Sequence, residues 1–266
     1  MDNVITILGA RGSIPVSGPT FSHYGGATTC ILVKLAGQHV LLDAGTGILH
    51  LPEEVLSIQS LPLVLTHAHL DHLIGLPMCP YLFQQDSQLM LYSQPICGLF
   101  GEALFNRLFS PPFWPVALNQ FPAKISFLPL TEKLQIGNVL VETLSGIHPD
   151  GVAILRLTGG GKRVVLATDC TFTPELFSHL IKFAQGCDLL LCDGQYSPEE
   201  WDSRKTFGHS TWLSAAELGA ACHAKQVRIV HHDPSHSDAM LNAALPSLLS
   251  IHPHCSFAYE MEEILL

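Results

Sequence analysis

The seven residues Thr66-His67-Ala68-His69-Leu70-Asp71-His72 constrain this chain more than any other stretch. They follow the apolar run Leu61-Pro62-Leu63-Val64-Leu65, which reads as a buried strand. Side chains two apart on an extended backbone project the same way, so His67 and His69 leave the strand end together. Asp71 and His72 come next, as the chain turns before Gly75. Nitrogen and carboxylate donors packed this densely point to two adjacent metal ions. The alternative is a polar loop of solvated histidines. It loses weight because the rest of the chain supplies further ligands.

Those ligands stand at the ends of other apolar runs. His148 follows Ile147 and precedes Pro149-Asp150-Gly151. Asp169 ends the run at 164–168, and His231 ends the run at 227–230. Taken singly, His148 reads as a loop histidine and Asp169 as a helix-flanking carboxylate. Together with the first motif they read as a converging set. The donors suit Zn²⁺, Mn²⁺ or Fe. Two ions held side by side can share a hydroxide, and coordination brings the pKa of water to about 7.

Further β-like runs fall at 4–8, 30–35, 39–43, 139–141, 152–157 and 189–191, with another around Phe127. Thr173-Pro174 opens a helix with an N-cap and a first-turn proline. A second helix is expected over 211–224. Strands followed by helices, with polar residues at strand ends, indicate stacked α and β layers. Without a linker, repeat or low-complexity tract, residues 1–266 read as a single domain. The segment at about 75–125 stands apart, rich in Phe, Leu and Pro. Phe100, Leu104 and Leu108 have helical spacing until Pro111-Pro112 breaks it. It reads either as a helix on the core or as an inserted lid or homodimer surface.

Composition narrows the function. Apolar residues make up 47% of the 266 positions and allow a sizeable core. The net charge of −10, with thirteen scattered Lys and Arg, argues against a broad nucleic-acid surface. The eight cysteines form no C-x-x-C pair, which argues against a zinc knuckle. Several lie in apolar runs, as small core residues. Met1-Asp2-Asn3-Val4-Ile5 lacks the regions of a secretory leader, and no run reaches membrane-span length. The expectation is a cytoplasmic protein with reduced thiols and no membrane association.

The chain resembles metallo-β-lactamase-fold hydrolases, and within them the ribonuclease Z-like and cyclic phosphodiesterase-like branch. Gly9-Ala10-Arg11-Gly12-Ser13-Ile14-Pro15, Gly25-Gly26, Asp43-Ala44-Gly45-Thr46-Gly47 and the His67 to His72 motif carry the resemblance. So do His148-Pro149, Thr168-Asp169, Asp193-Gly194-Gln195-Tyr196, Gly208-His209-Ser210-Thr211 and His231-His232-Asp233-Pro234. The resemblance implies a four-layer αββα sandwich of the α/β (α+β) class, with a dinuclear site at one edge. It implies that His67, His69 and His148 hold the first metal. Asp71, His72 and His231 hold the second, and Asp169 bridges them. His231 is preferred to its neighbour His232 because it comes first after the strand. Asp43 resembles the family carboxylate that orients a ligand imidazole.

The same resemblance implies a metal-dependent hydrolase, expected to be a phosphodiesterase acting on a small cyclic phosphate or nucleotide ester. A metal-bridging hydroxide is the expected nucleophile and Asp71 belongs to the catalytic set. His209 is the expected general acid, oriented by Asp193. The bland readings are that His209 only begins a helix and that Asp193 only shapes a turn. Arg11, in a Gly-rich turn, is a candidate contact for a substrate phosphate; otherwise it is a surface cation or salt-bridge partner. Ala27 replaces the Asn usual in relatives, and no basic, Gly- and Lys-rich arm is present to grip tRNA. Small-molecule substrates are therefore expected and tRNA is not. The alternatives are a thioester or lactone hydrolase of the same fold, or a metal-binding sensor without catalysis. Sensors of that kind lose ligands, and here every ligand position is filled.

Overall fold

A computed structural model describes residues 3–266. Met1 and Asp2, where the reading of the N-terminus begins, lie outside the described residues. The first half builds six strands: β1 (Val4–Gly9), β2 (Cys30–Leu35), β3 (Gln38–Leu42), β4 (Ser60–Val64), β5 (Gln88–Ser93) and β6 (Lys124–Pro129). The second half builds β7 (Lys133–Ile136), β8 (Val139–Gly146), β9 (Val152–Gly159), β10 (Lys162–Ala167), β11 (Leu189–Asp193), β12 (Gln226–Val230) and β13 (Cys255–Phe257). A last strand, β14 (Glu262–Leu265), returns to pair antiparallel with β1. The result is two seven-stranded mixed sheets, ordered β14-β1-β2-β3-β4-β5-β6 and β13-β12-β11-β10-β9-β8-β7.

Period-two alternation fixes which face each strand buries. Ile5, Val33, Val40 and Val64 from the first sheet meet Leu155, Leu166, Leu191 and Val230 from the second. This is the central layer. Alternate residues of the second sheet, such as Val165, Leu190 and Ile229, pack outward against three helices. These are Pro174–Phe183, Trp212–Ala221 and Asp238–Ile251. Thr173 caps the first as expected, its hydroxyl accepting from Leu176 N at 3.3 Å. Thr211 and Ser237 cap the other two in the same way.

The opposite outer layer differs from the expectation. Residues 76–127 form mostly 3₁₀ turns and loops, and the helical spacing of Phe100, Leu104 and Leu108 yields only the four-residue helix Glu102–Phe105. Phe105 and Phe109 nevertheless bury against Leu63 and Leu89 in the outer core of the first sheet. Met78, Phe83 and Phe113 of this segment remain exposed. The segment also carries β5, which its aromatic, proline-rich surroundings concealed. Among the described residues no helix is long and apolar enough to cross a membrane. The eight cysteines are free, and only Cys97 is exposed.

Strand direction decides where a site can form. β3 and β4 run parallel, and so do β10, β11 and β12. Their carboxyl ends therefore emerge on common edges, where ligands collect in open α/β sheets. β8 is antiparallel to β9, as is β10, so the end of β8 joins the same edge. Asp193 ends β11, and Asp43, His67, His148, Asp169 and His231 follow the ends of the other strands within three residues.

Arg11 corrects an expectation. It is neither a substrate arm nor a surface cation: its side chain is 1% exposed. Its guanidinium donates to the carbonyls of Gly25 (2.8 and 3.2 Å), Asp233 (3.1 Å) and His236 (2.9 Å). Burial lowers it to about 10, against the pull of Asp238, Asp233 and Glu260, so it stays cationic at neutral pH. It ties the first glycine-rich loop to the turn after β12. Hydrogen bonds to a charged group contribute about 1.5–3 kcal/mol each when lost. Arg11→Met should therefore cost about 3 kcal/mol or more in urea unfolding of the metal-free protein. A loss under about 1 kcal/mol, accompanied by a higher KM, would restore the substrate role.

Candidate metal centre

The expected ligands gather in two groups. His67, His69 and His148 bring one donor atom each within 4.8 Å of one another, and Asp71, His72, Asp169 and His231 do the same. Asp169 joins the groups. Its Oδ2 lies 3.1 Å from His231 Nε2, 3.3 Å from His72 Nε2, 3.7 Å from His67 Nε2 and 3.9 Å from His148 Nε2. His69 Nδ1 is 2.9 Å from His148 Nε2. Asp71 Oδ2 is 3.0 Å from His231 Nε2 and 3.4 Å from His72 Nε2.

Partners behind the rings turn them inward. Asp43 Oδ2 accepts from His72 Nδ1 at 2.8 Å, and the Gly208 carbonyl accepts from His148 Nδ1 at 2.9 Å. Gln195 Oε1 accepts from His231 Nδ1 at 3.1 Å. Thr66 donates to Asp43 (2.9 Å) and meets His67 Nδ1 at 3.0 Å. Carboxylates and carbonyls only accept, so the Nδ1 atoms of His72, His148 and His231 carry a proton, and each Nε2 is the atom turned toward the cluster, free to bind an ion once the ring is neutral. Asp71 is held by the Ser13 amide, which donates to its Oδ2 at 2.7 Å. His232 faces away, with Nε2 donating to the Ala258 carbonyl at 2.8 Å. His231 is therefore the histidine that faces the cluster.

The residues fit divalent cations. His67 Nε2 and His72 Nε2 are buried without a hydrogen-bond partner, both aimed at carboxylate oxygen. Burial, then His72, drives His67 well below its usual range, toward the neutral ligand form. Burial also opposes charge on His72 and His231, yet the carboxylates prevail. Asp169, Asp43 and Asp71 push His72 well up, and Asp169 and Asp71 raise His231 to about 9. Burial would raise Asp71 and Asp169, but the facing imidazoles hold both well below the usual carboxylate range. The cluster demands positive charge from whatever sits inside it.

His209 lies beside both groups. Its ring centroid is 5.0 Å from that of His148 and 4.8 Å from that of His231. Nδ1 is 2.9 Å from Asp193 Oδ2. Asp193, fully buried, also accepts from the amides of Asp169 (2.9 Å) and Ser210 (2.9 Å). His236 and Asp238 stand outside the cluster, paired with Glu200 and with the amides of His23 and Tyr24.

Three supporting positions stood in the sequence motifs without a role of their own. Gln195 holds His231 and also donates to Ser13 Oγ at 3.1 Å, linking the two residues that seat the second group. Its position two residues after the strand-end Asp193 was the available signal. A Cβ on Gly12 would lie 2.3 Å from His231 Nδ1, and one on Gly208 would lie 2.3 Å from His148 Nδ1. Only the bare backbone lets those imidazoles seat. Gly12→Ala should thus weaken metal binding by the second group and Gly208→Ala by the first, each about 10–100-fold. Two-step metal titration of folded variants checks this; unchanged binding in both would refute the seating argument.

Comparison with known proteins places this geometry. A family model described as the β-lactamase superfamily domain matches residues 38–232. Ribonuclease Z of Agathobacter rectalis is 30% identical over 283 residues, covering 87% of this chain and 88% of that protein. The metallo-β-lactamase-fold protein YhfI of Bacillus subtilis superposes with a TM-score of 0.76 at 18% identity, covering both chains completely. A diphosphatase of the PhnP family gives 0.72 at 18% identity over 100% of this chain and 98% of that one. The last two likenesses concern the fold alone. By the family match and the Ribonuclease Z relative, the chain belongs to the β-lactamase superfamily, among its metallo-β-lactamase-fold hydrolases.

Proposed function

We propose that the chain is a dinuclear metal-dependent phosphodiesterase acting on a small cyclic phosphate or nucleotide ester. The observation that carries this reading is the single Asp169 oxygen within 4 Å of four imidazole Nε2 atoms from both ligand groups. His67, His69 and His148 would hold one ion; Asp71, His72 and His231 would hold the other, with Asp169 between them. Zn²⁺ or Mn²⁺ suits these donors best, with Fe as the further choice. When bound, such ions supply Lewis acidity toward a phosphoryl oxygen and lower the pKa of water to about 7.

The chain's own residues do the rest. Asp43, Thr66, Gly208 and Gln195 fix the rings, so little reorganisation is needed during reaction. Asp193 accepts from His209 Nδ1, which leaves Nε2 to hand a proton to the departing alkoxide. That proton matters most where the leaving oxygen is strongly basic. The His209–Asp193 pair therefore favours esters with alkoxide leaving groups, phosphodiesters among them, over thioesters. The Ribonuclease Z relative supports RNA as a second substrate class. The net charge of −10 weighs against it.

Purified protein should carry about two transition-metal equivalents by elemental analysis, a count that rests on this reading. Asp169→Ala should lose metal and activity together. His209→Ala should keep its metal yet lose about 10²–10⁴-fold on an unactivated phosphodiester, and far less on a p-nitrophenyl ester whose leaving group needs little protonation. Equal rates of His209→Ala and parent on the unactivated ester would remove His209 from the mechanism.

A further inference from the structure

The loops that carry the site hold few usable cations. Residues 10–29, 43–59, 65–87, 147–151, 168–173, 194–211 and 231–237 contain only Arg11, Arg204 and Lys205 among Lys and Arg. Arg11 is buried and committed to backbone carbonyls. Arg204 is bound to Asp233 at 2.8 Å and lies 3.8 Å from Glu200. Only Lys205 is exposed and unpaired among the described ion pairs. An exposed carboxylate, Asp150, stands 4.0 Å from His69. A polyanion would find almost nothing here to neutralise its phosphates.

The same loops expose large apolar side chains beside the site residues. Ile14, Leu70, Ile147 and Phe207 are all exposed, and each lies within two residues of a site residue on a different loop. Ile14 follows Ser13, whose amide holds Asp71. Leu70 sits between His69 and Asp71. Ile147 precedes His148, and the loop carrying Phe207 packs against that histidine through Gly208. Separately, a narrow crevice opens beside His67, and Pro95, Ile96 and Leu104 form its apolar wall. Ligand sites combine such apolar lining with a few placed polar groups.

We propose that these loops form a mouth that selects a monoanionic phosphodiester carrying an apolar or aromatic substituent, and disfavours polyanions such as RNA. The proposal rests on the phosphodiesterase reading and narrows it. The single negative charge goes to the metal centre. The substituent lies on Leu70, Ile147 and Phe207, where removal from water supplies the affinity.

Alkyl p-nitrophenyl phosphates of increasing chain length, assayed with manganese-loaded protein, test the idea. Each methylene reaching the apolar surface should raise kcat/KM about two- to fourfold, so the butyl ester should exceed the methyl ester by at least about tenfold. Phe207→Ser and Leu70→Ser should shrink that ratio, a readout that a general loss of activity leaves unchanged. A flat series, or an RNA oligonucleotide competing more strongly than the butyl ester at physiological salt, would overturn the proposal. Calorimetry with dialkyl phosphates reads the mouth without turnover. Dibutyl phosphate should bind at least about tenfold tighter than dimethyl phosphate, and equal affinities overturn the proposal. If the esters are not hydrolysed while dibutyl phosphate still binds tighter, the catalytic reading fails and the mouth stands.

Discussion

Asp43, Asp71 and Asp169 are buried carboxylates at one end of a sandwich that places no lysine or arginine among them. Taking a carboxylate out of water costs several kcal/mol unless something compensates. Ser13 and Thr66 donate hydrogen bonds to two of them, but among the described residues the groups there that can carry positive charge are imidazoles, and they carry it conditionally. Protons on His72 and His231 offset part of the cost, and the raised proton affinities of both rings express that demand. A divalent ion meets the same demand with more charge in less space, and it needs the imidazoles neutral. Protons and a divalent ion would therefore compete for the same carboxylates, and the arrangement of this end of the molecule reflects that demand for positive charge.

The backbone is strained at three residues of this cluster and its support. Asp43, Asp169 and His231 all have positive φ, at 60°, 53° and 64°. None is glycine, and each conformation costs of the order of 1–3 kcal/mol. All three follow the carboxyl ends of parallel or co-directed strands. A regular strand exit would point the side chain along the edge. The left-handed turn re-aims it into the gap between the sheets. Hydrogen bonds hold the strained residues in place: Asp43 accepts from the Thr66 amide at 2.8 Å, and the Asp169 amide donates to Asp193.

Much of this was legible because ligands sit at the ends of apolar runs, and apolar runs are what a sequence displays most plainly. β2 matched its run at both ends, and β4, β10, β11 and β12 matched within a residue or two, because buried β-branched and leucine-rich stretches have no other stable placement. The convergence of His67, His69, His148, Asp169 and His231 followed from resemblance and strand ends together. What stayed hidden depends on tertiary approach. Nothing near Arg11 in sequence announces that the carbonyls of Gly25, Asp233 and His236 will surround it. Gln195 looks like any loop amide until His231 and Ser13 arrive on either side. The helix Asp238–Ile251 was masked by Pro246 within it, and β5 by the aromatic, proline-rich composition of its surroundings.

Each ligand group draws on both sheets. His67 and His69 leave the first sheet after β4, while His148 follows β8 of the second. Asp71 and His72 likewise belong to the first sheet, while Asp169 and His231 end β10 and β12. An ion in either group would bridge the two layers at one edge, in parallel with the apolar layer of Val64, Leu166, Leu191 and Val230 between them. The spacing of the ligands is thus set by core side-chain volume as well as by the loops. A methylene lost from that layer should loosen the core, and it is expected to change how far His67 stands from Asp169. Ligand occupancy stabilises the folded state by RT ln(1 + [L]/Kd). With an ion bound, metal affinity and sandwich closure would be one coupled quantity, and a distant core substitution would reach the site through the gap between the sheets.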